Sequence, residues 1–184
     1  MSPSAGDITQ ADIVQAITAS TLDVFTTMLA VDVVPAAPQA QPCAPANPTS
    51  GLIALIGLAG LWCGTGSISA SGDLAARLAS ALLMSPCDSL NEDVLDAMGE
   101  IANMIIGNVK TSLEEKAGPM GLSTPTVIYG RDFQTRSARI HQWTVVPFLC
   151  GTESLYVQMC LAPNRDAGHV TLRPGLQVPQ LLTT

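Results

Sequence analysis

The order of elements in this chain predicts an α+β fold: a mostly antiparallel sheet with helices packed on one face. Three observations carry that expectation. Residues 91–115 (NEDVLDAMGEIANMIIGNVKTSLEE) place Val94, Leu95, Met98, Ile101, Ala102, Ile105, Ile106, Val109 and Leu113 at the i, i+3, i+4, i+7 spacing of a helix with one buried face. Residues 52–58 and 61–69 are two strand-like runs around a glycine-containing turn. Residues 142–148 and 154–161 are two more, separated by Gly151-Thr152.

The 184 residues are enough for one domain with a real core, and 47% of them are hydrophobic. Residues 4–31 read as a first helix, with Asp7 and Gln10 spaced as a capping box and Ile8, Ile13, Ile17, Leu22, Val24, Phe25 and Met28 as its apolar face. That helix accounts for residues 1–34. Residues 35–50 then read as a linker or insertion, because Pro35, Pro38, Pro42, Pro45 and Pro48 oppose both strand pairing and helix. Residues 51–163 form the remainder of the domain, and 164–184 are expected to be a loose tail.

Residues 51–70 carry no charge over about the length of a membrane span. Strands are preferred here, because Gly57, Gly60, Gly64 and Gly66 would weaken a helix and no basic residue precedes Arg77. A short helix follows at 73–84, with Leu74, Leu78, Ala81 and Leu82 inward; Pro86 breaks the chain before the long helix. After a turn at Gly118-Pro119, residues 122–129 read as one strand in which Pro125 marks an edge, an end or a bulge.

Composition narrows the function. Net charge is −7 with 8 basic residues, so nothing gathers nucleic-acid phosphates. The N-terminus has no basic residue and does not read as a signal peptide. Five widely spaced cysteines without a C-x-x-C disfavour a disulfide framework or zinc site and suit a reducing cytosol. Only His141 and His169 are present, without a Ser/His/Asp set, an H-x-x-x-H or a glycine loop opening a helix. Asp88, Glu92, Asp93 and Asp96 are acidic near a helix start, where the dipole explains them without a metal.

The remaining signal is on the long helix. At about 100° per residue, Asp96, Glu100, Asn103 and Gly107 fall within roughly 60° on the side away from the apolar face. Exposed acids are ordinary solvation. Asn and Gly are less so, since Asn competes for backbone hydrogen bonds and an interior Gly costs about 1 kcal/mol relative to Ala. Local rules broken on one face point to a site.

The string DAMGEIANMIIGNVK, followed by LSTPTVIYG, resembles the CheX branch of the CheC/CheX/FliY family of chemotaxis phosphatases. That signature is Asp or Ser, three residues, Glu, two residues, Asn, and a Pro roughly twenty residues on; Asp96, Glu100, Asn103 and Pro125 fill those places. The resemblance covers residues 8–161, with one such helix, as in CheX. It implies a CheX-like fold, a cytoplasmic homodimer made by strand exchange, and hydrolysis of the aspartyl phosphate of a CheY-type response regulator. Under it, Asn103 orients the attacking water, Glu100 pairs with a lysine of the regulator, Asp96 assists docking and Pro125 is structural. The protein would need no cofactor of its own, since the phosphorylated regulator supplies Mg²⁺. Gly107 is a separate inference: lacking a side chain one turn beyond Asn103, it lets a partner's backbone come close. The rival reading is a non-catalytic module that binds a receiver domain or a flagellar-switch component. The paired Glu and Asn favour the enzyme, because binding alone would not need both.

Overall fold

The structure is a computed structural model that describes residues 7–41, 50–131 and 142–164. Cys43 and most of the expected C-terminal tail lie outside these residues. Helix α1 spans Gln10–Val24. Its capping box is not Asp7 with Gln10 but Thr9 with Asp12: the Thr9 hydroxyl accepts from the Asp12 N–H at 3.2 Å, and the Asp12 carboxylate accepts from the Thr9 N–H at 2.9 Å. The reciprocal pair satisfies two end groups of the helix, which is why it starts here and not at residue 4. The chain then passes into one π-turn, Phe25–Leu29, closed by Ala30 in the left-handed region at φ 51°. The wider turn advances the phase, so Leu29 is buried and Met28, expected inward, is exposed.

The start of the proline-rich stretch pairs, while residues 42–49 lie outside the described residues. Strands β1 (Val34–Pro35) and β2 (Gln39–Gln41) both lie antiparallel on β7 (Trp143–Cys150). Each is a short strand along the outer side of β7, where a residue lacking an N–H is tolerated. The uncharged segment forms a hairpin of β3 (Ser50–Gly60) and β4 (Trp62–Ala70). Among the described residues no helix is long and apolar enough to cross a membrane. Helix α2 (Gly72–Leu83) is capped by Ser71, whose hydroxyl accepts from the Leu74 N–H and donates to Glu153.

Helix α3 (Glu92–Ala117) is capped by Asn91, whose side chain accepts from the Val94 N–H at 2.9 Å, and it ends at Gly118 with φ 73°. The expected single strand at 122–129 is two: β5 (Met120–Leu122) and β6 (Thr126–Arg131). Ser123 turns aside to bond Gly57, and Pro125 cannot donate to a ladder, so the strand breaks between them. Strands β7 and β8 (Glu153–Pro163) close the sheet through a turn at Gly151, φ 69°. At the head of the expected tail, the Asn164 N–H donates to the Leu61 carbonyl at 2.7 Å and its amide to the Gly60 carbonyl at 3.0 Å.

The sheet has the order β1-β7-β8-β4-β3-β5, with β2 also on β7 and β6 also on β3, and every described pairing is antiparallel. Leu52, Ala54, Ile56, Ile68, Val146 and Val157 point toward the helices and join the main core. Trp143, Val145 and Cys160 form a small separate cluster with Tyr156. Helix α3 is seated hard on β4: a Cβ on Gly66 would stand only 2.8 Å from Ile106 Cδ1 and Cγ2. Of its expected apolar face, every residue is fully buried except Leu95, which is half-buried and packs on the same core. This is the α+β architecture expected from the sequence, a mostly antiparallel sheet with its helices packed on one face.

Candidate functional site

Burying one face of α3 aims the other outward. Asp96, Glu100 and Asn103 are exposed and Gly107 is half-exposed, in one row along about three turns. None of the three side chains makes a hydrogen bond or ion pair with a described residue. Both lysines of α3 are already engaged. Lys110 pairs with Glu114 at 2.9 Å, and Lys116 with Asp12 at 2.7 Å. Among the described residues, the row therefore offers two carboxylates and an amide without partners, on a rigid support.

The chain after α3 runs back along its flank. A Cβ on Gly107 would lie 3.8 Å from Leu122 Cδ1; one on Gly99 would lie 3.6 Å from Pro125 Cβ and 3.7 Å from Val127 Cγ2. Residues 122–127 thus run antiparallel to the helix, passing Asn103 between Gly107 and Gly99. This rim is tied to β3. The Ser123 N–H donates to the Gly57 carbonyl and the Gly57 N–H donates to Ser123 Oγ, both at 2.9 Å, while Ser123 Oγ donates to the Thr124 carbonyl. Pro125, half-buried, is part of the rim, so the structure brings it beside the row although it is far away in sequence.

Gly99, Leu122 and Val127 were not singled out from sequence. Gly99 was detectable, since it is a second interior helix glycine with the same propensity cost as Gly107. The rim residues carried no local signal, because their contact with α3 depends on the fold.

The row is a ridge, not a cleft. A cavity of about 270 Å³ lies between α1 and α3 at Asp12, Gln15 and Lys116, and one of about 260 Å³ lies beside Thr26 and Asp32; neither touches the row. Asp12 is held at about 2 by the Lys116 ammonium and by both donors of Thr9, and the Met120 N–H and Lys110 hold Glu114 below the usual range. Burial pushes the Cys150 thiol up and the Cys160 thiol to about 11, so neither is a ready nucleophile. Neither of these two cavities would place a small molecule against the amide and carboxylates of the row. The shape of the row fits insertion into a concave site on another protein.

Residues 52–149 match the family described as chemotaxis phosphatase CheX. Among solved structures, the chain is similar to the chemotaxis protein CheX from Vibrio vulnificus: 26% identity, 82% of this chain and 99% of that one covered, TM-score 0.73. It is similar to a CheC-like superfamily protein from Shewanella sp. PV-4, at 25% identity, with 82% and 97% covered and a TM-score of 0.72. It shares the fold of a chain in the CheX–CheY–BeF3–Mg²⁺ complex from Borrelia burgdorferi, at 22% identity, with 81% and 97% covered and a TM-score of 0.67. No protein of curated function matches the chain.

Proposed function

The chain belongs to the chemotaxis phosphatase CheX family, and from that premise we propose that it hydrolyses the aspartyl phosphate of a CheY-type response regulator. The observation that carries this reading is the state of Glu100 and Asn103. Both are exposed, in one row, without a partner among the described residues, on a helix whose opposite face is locked in the core. The CheX of Borrelia burgdorferi was crystallised with CheY, BeF3 and Mg²⁺, which supports a CheY-type partner.

The chemistry asks little of the phosphatase. Water attacks phosphorus in line, the bond from phosphorus to the aspartyl oxygen breaks, and inorganic phosphate leaves a free carboxylate. The regulator's own Mg²⁺ and lysine neutralise the phosphoryl oxygens. What remains is to hold the water, and phosphoryl transfer is mostly positioning and electrostatics. The Asn103 amide can accept from that water and donate to it or to a phosphoryl oxygen, without titrating. Glu100, one turn away, pairs with the regulator's lysine and fixes the angle at which the amide enters. Asp96 adds to the docking field, and Gly107 leaves room for the partner's backbone. Pro125 stiffens the rim beside the row. The family likeness also leads us to propose a homodimer, which light scattering in solution tests.

The decisive experiment mixes the protein with a phosphorylated CheY-type receiver domain and Mg²⁺ and follows loss of the acyl phosphate. Asn103→Ala should lower the rate on the order of 10²–10³-fold, as when one preorganised donor is lost, while binding changes much less. Equal rates for the two proteins would end the proposal. Binding without acceleration by the wild type would make the protein a receiver-binding module.

A further inference from the structure

The row is a narrow ridge, and a receiver domain seated on it must also cover what lies beside it. A specific protein interface takes in about 800 Å² per partner, a disc of roughly 16 Å radius. On the rim side of α3, that disc reaches strand β6.

Phe25, Trp62, Trp143 and Phe148 are buried and Tyr156 is half-buried; Tyr129, on β6, is the exposed aromatic among the described residues, at 59%. An exposed tyrosine on a strand is ordinary by itself. Its position is not. Val127 and Tyr129 pair with Ala54 and Leu52 of β3, whose side chains point to the helix side, whereas Ile128 pairs with Ile53 on the opposite side. Val127 touches the flank of α3 at Gly99. Tyr129 stands on the same side about 7 Å further along the strand. That is between four and five residues of helix rise, level with the turn that carries Leu95 and Asp96. Among the described residues no strand pairs with the outer side of β6, so nothing described covers this end of the rim.

We infer that Tyr129, on the helix side of the edge strand β6, is a docking anchor for the same receiver domain that the Asp96–Glu100–Asn103 row engages. The inference rests on the reading of that row as the phosphatase site, and it names a contact that reading does not contain. Tyrosine suits the role. Its ring supplies a large apolar area at low cost in side-chain entropy, and such residues dominate the energetics of interfaces. The row by itself offers only polar groups, which steer and orient more than they hold. An apolar anchor on the rim side gives the complex a second point of attachment and prevents the receiver from pivoting about Asn103. Tyr129 is thus a positioning residue and takes no part in the chemistry.

The test measures the Kd for a beryllofluoride-activated receiver with Mg²⁺, and kcat and KM on the phosphorylated receiver, for wild type, Tyr129→Ala, Tyr129→Phe and Asn103→Ala. Tyr129→Ala should weaken Kd and raise KM about tenfold or more, with the loss falling on KM and not on kcat. Tyr129→Phe should restore most of the affinity. Tyr129→Ala combined with Asn103→Ala should lose the same factor in Kd as Tyr129→Ala alone. Thermal melting of each variant keeps the comparison among folded proteins. An unchanged Kd and KM for Tyr129→Ala, with Asn103→Ala still inactive, would overturn this inference and leave the phosphatase reading intact. So would a Tyr129→Ala protein with unchanged Kd but altered oligomeric mass, since β6 would then face a second copy of the chain. A wild type that neither binds nor dephosphorylates the receiver would overturn both.

Discussion

Pro125 packs on Gly99 of α3, its Cβ 3.6 Å from where a side chain on Gly99 would begin. The contact sets how far the row on α3 stands clear of the rim. The gap accepts one carbon and no more. Gly99→Ala should therefore fold well and gain up to about 1 kcal/mol from helix propensity. Gly99→Leu must push Pro125 and Val127 outward and should lose about 1–3 kcal/mol, as overpacked sites do. Urea unfolding of the two variants checks the sign of each.

Gly107 separates stability from function. A Cβ there meets only Leu122 Cδ1, at 3.8 Å, which is ordinary contact. Gly107→Ala should raise stability by up to about 1 kcal/mol. If the partner's backbone approaches at this point, the same methyl group should raise KM for the phosphorylated receiver several-fold. A variant that melts higher and binds worse is the expected result; one that melts higher and binds equally well would remove Gly107 from the docking surface.

Glu100 carries a charge that nothing in the described structure neutralises. Glu100→Lys sets like charges against the regulator's lysine and should raise KM on the order of tenfold or more, with its salt dependence weakened or reversed. Asp96→Asn, one turn further from Asn103, should cost about twofold. Both substitutions sit on the exposed row, so circular dichroism melts should barely move.

The parts of this molecule that could be read in advance are those whose cause is local. The long helix announced itself by period, and its core face held from Val94 to Leu113 because a 26-residue helix averages out single exceptions. Asp96, Glu100, Asn103 and Gly107 shared a side on the helical angle alone. What escaped depends on partners distant in sequence. Five prolines argued against pairing in residues 35–48, but β1 and β2 need only the outer side of β7, where an N–H can be missing. The break between β5 and β6 follows from Ser123 turning to Gly57, 66 residues earlier in the chain. The capping box was misplaced because Asp7-Gln10 and Thr9-Asp12 are both plausible at that spacing, and only the second has its reciprocal bonds.

Gly66 and Ile106 should behave as one unit. A Cβ on Gly66 would stand 2.8 Å from two branches of Ile106, closer than packed carbons come. Gly66→Ala must lift α3 from β4 and should cost about 1–3 kcal/mol. Ile106→Ala alone leaves a cavity and should cost about 2–5 kcal/mol. Together the two should cost less than their sum, because the cavity removes the clash, and the double-mutant cycle reads that coupling directly.

Asp12 joins α1 to α3 through Lys116 and caps α1 through Thr9, and these contacts hold its carboxyl at about 2 against an ordinary 3.8. The folded pKa is depressed, so the unfolded chain binds the proton more readily as pH falls. The stabilisation is complete above about pH 4–5 and is lost progressively as pH falls through the ordinary value toward about 2. Glu114, held low by the Met120 N–H and Lys110, acts in the same direction. Both groups are at the surface, so each contribution is small and screened by salt. Asp12→Asn keeps the cap oxygen and removes the titration. Its melting temperature should fall slightly at pH 7, and the difference from the wild type should shrink steadily as pH falls from about 4 toward 2, where the folded wild-type carboxyl is about half protonated. Parallel curves across the acid range would mean that the pair contributes nothing that titrates, and that the α1–α3 contact is held by Ala16 and Leu113 beneath it.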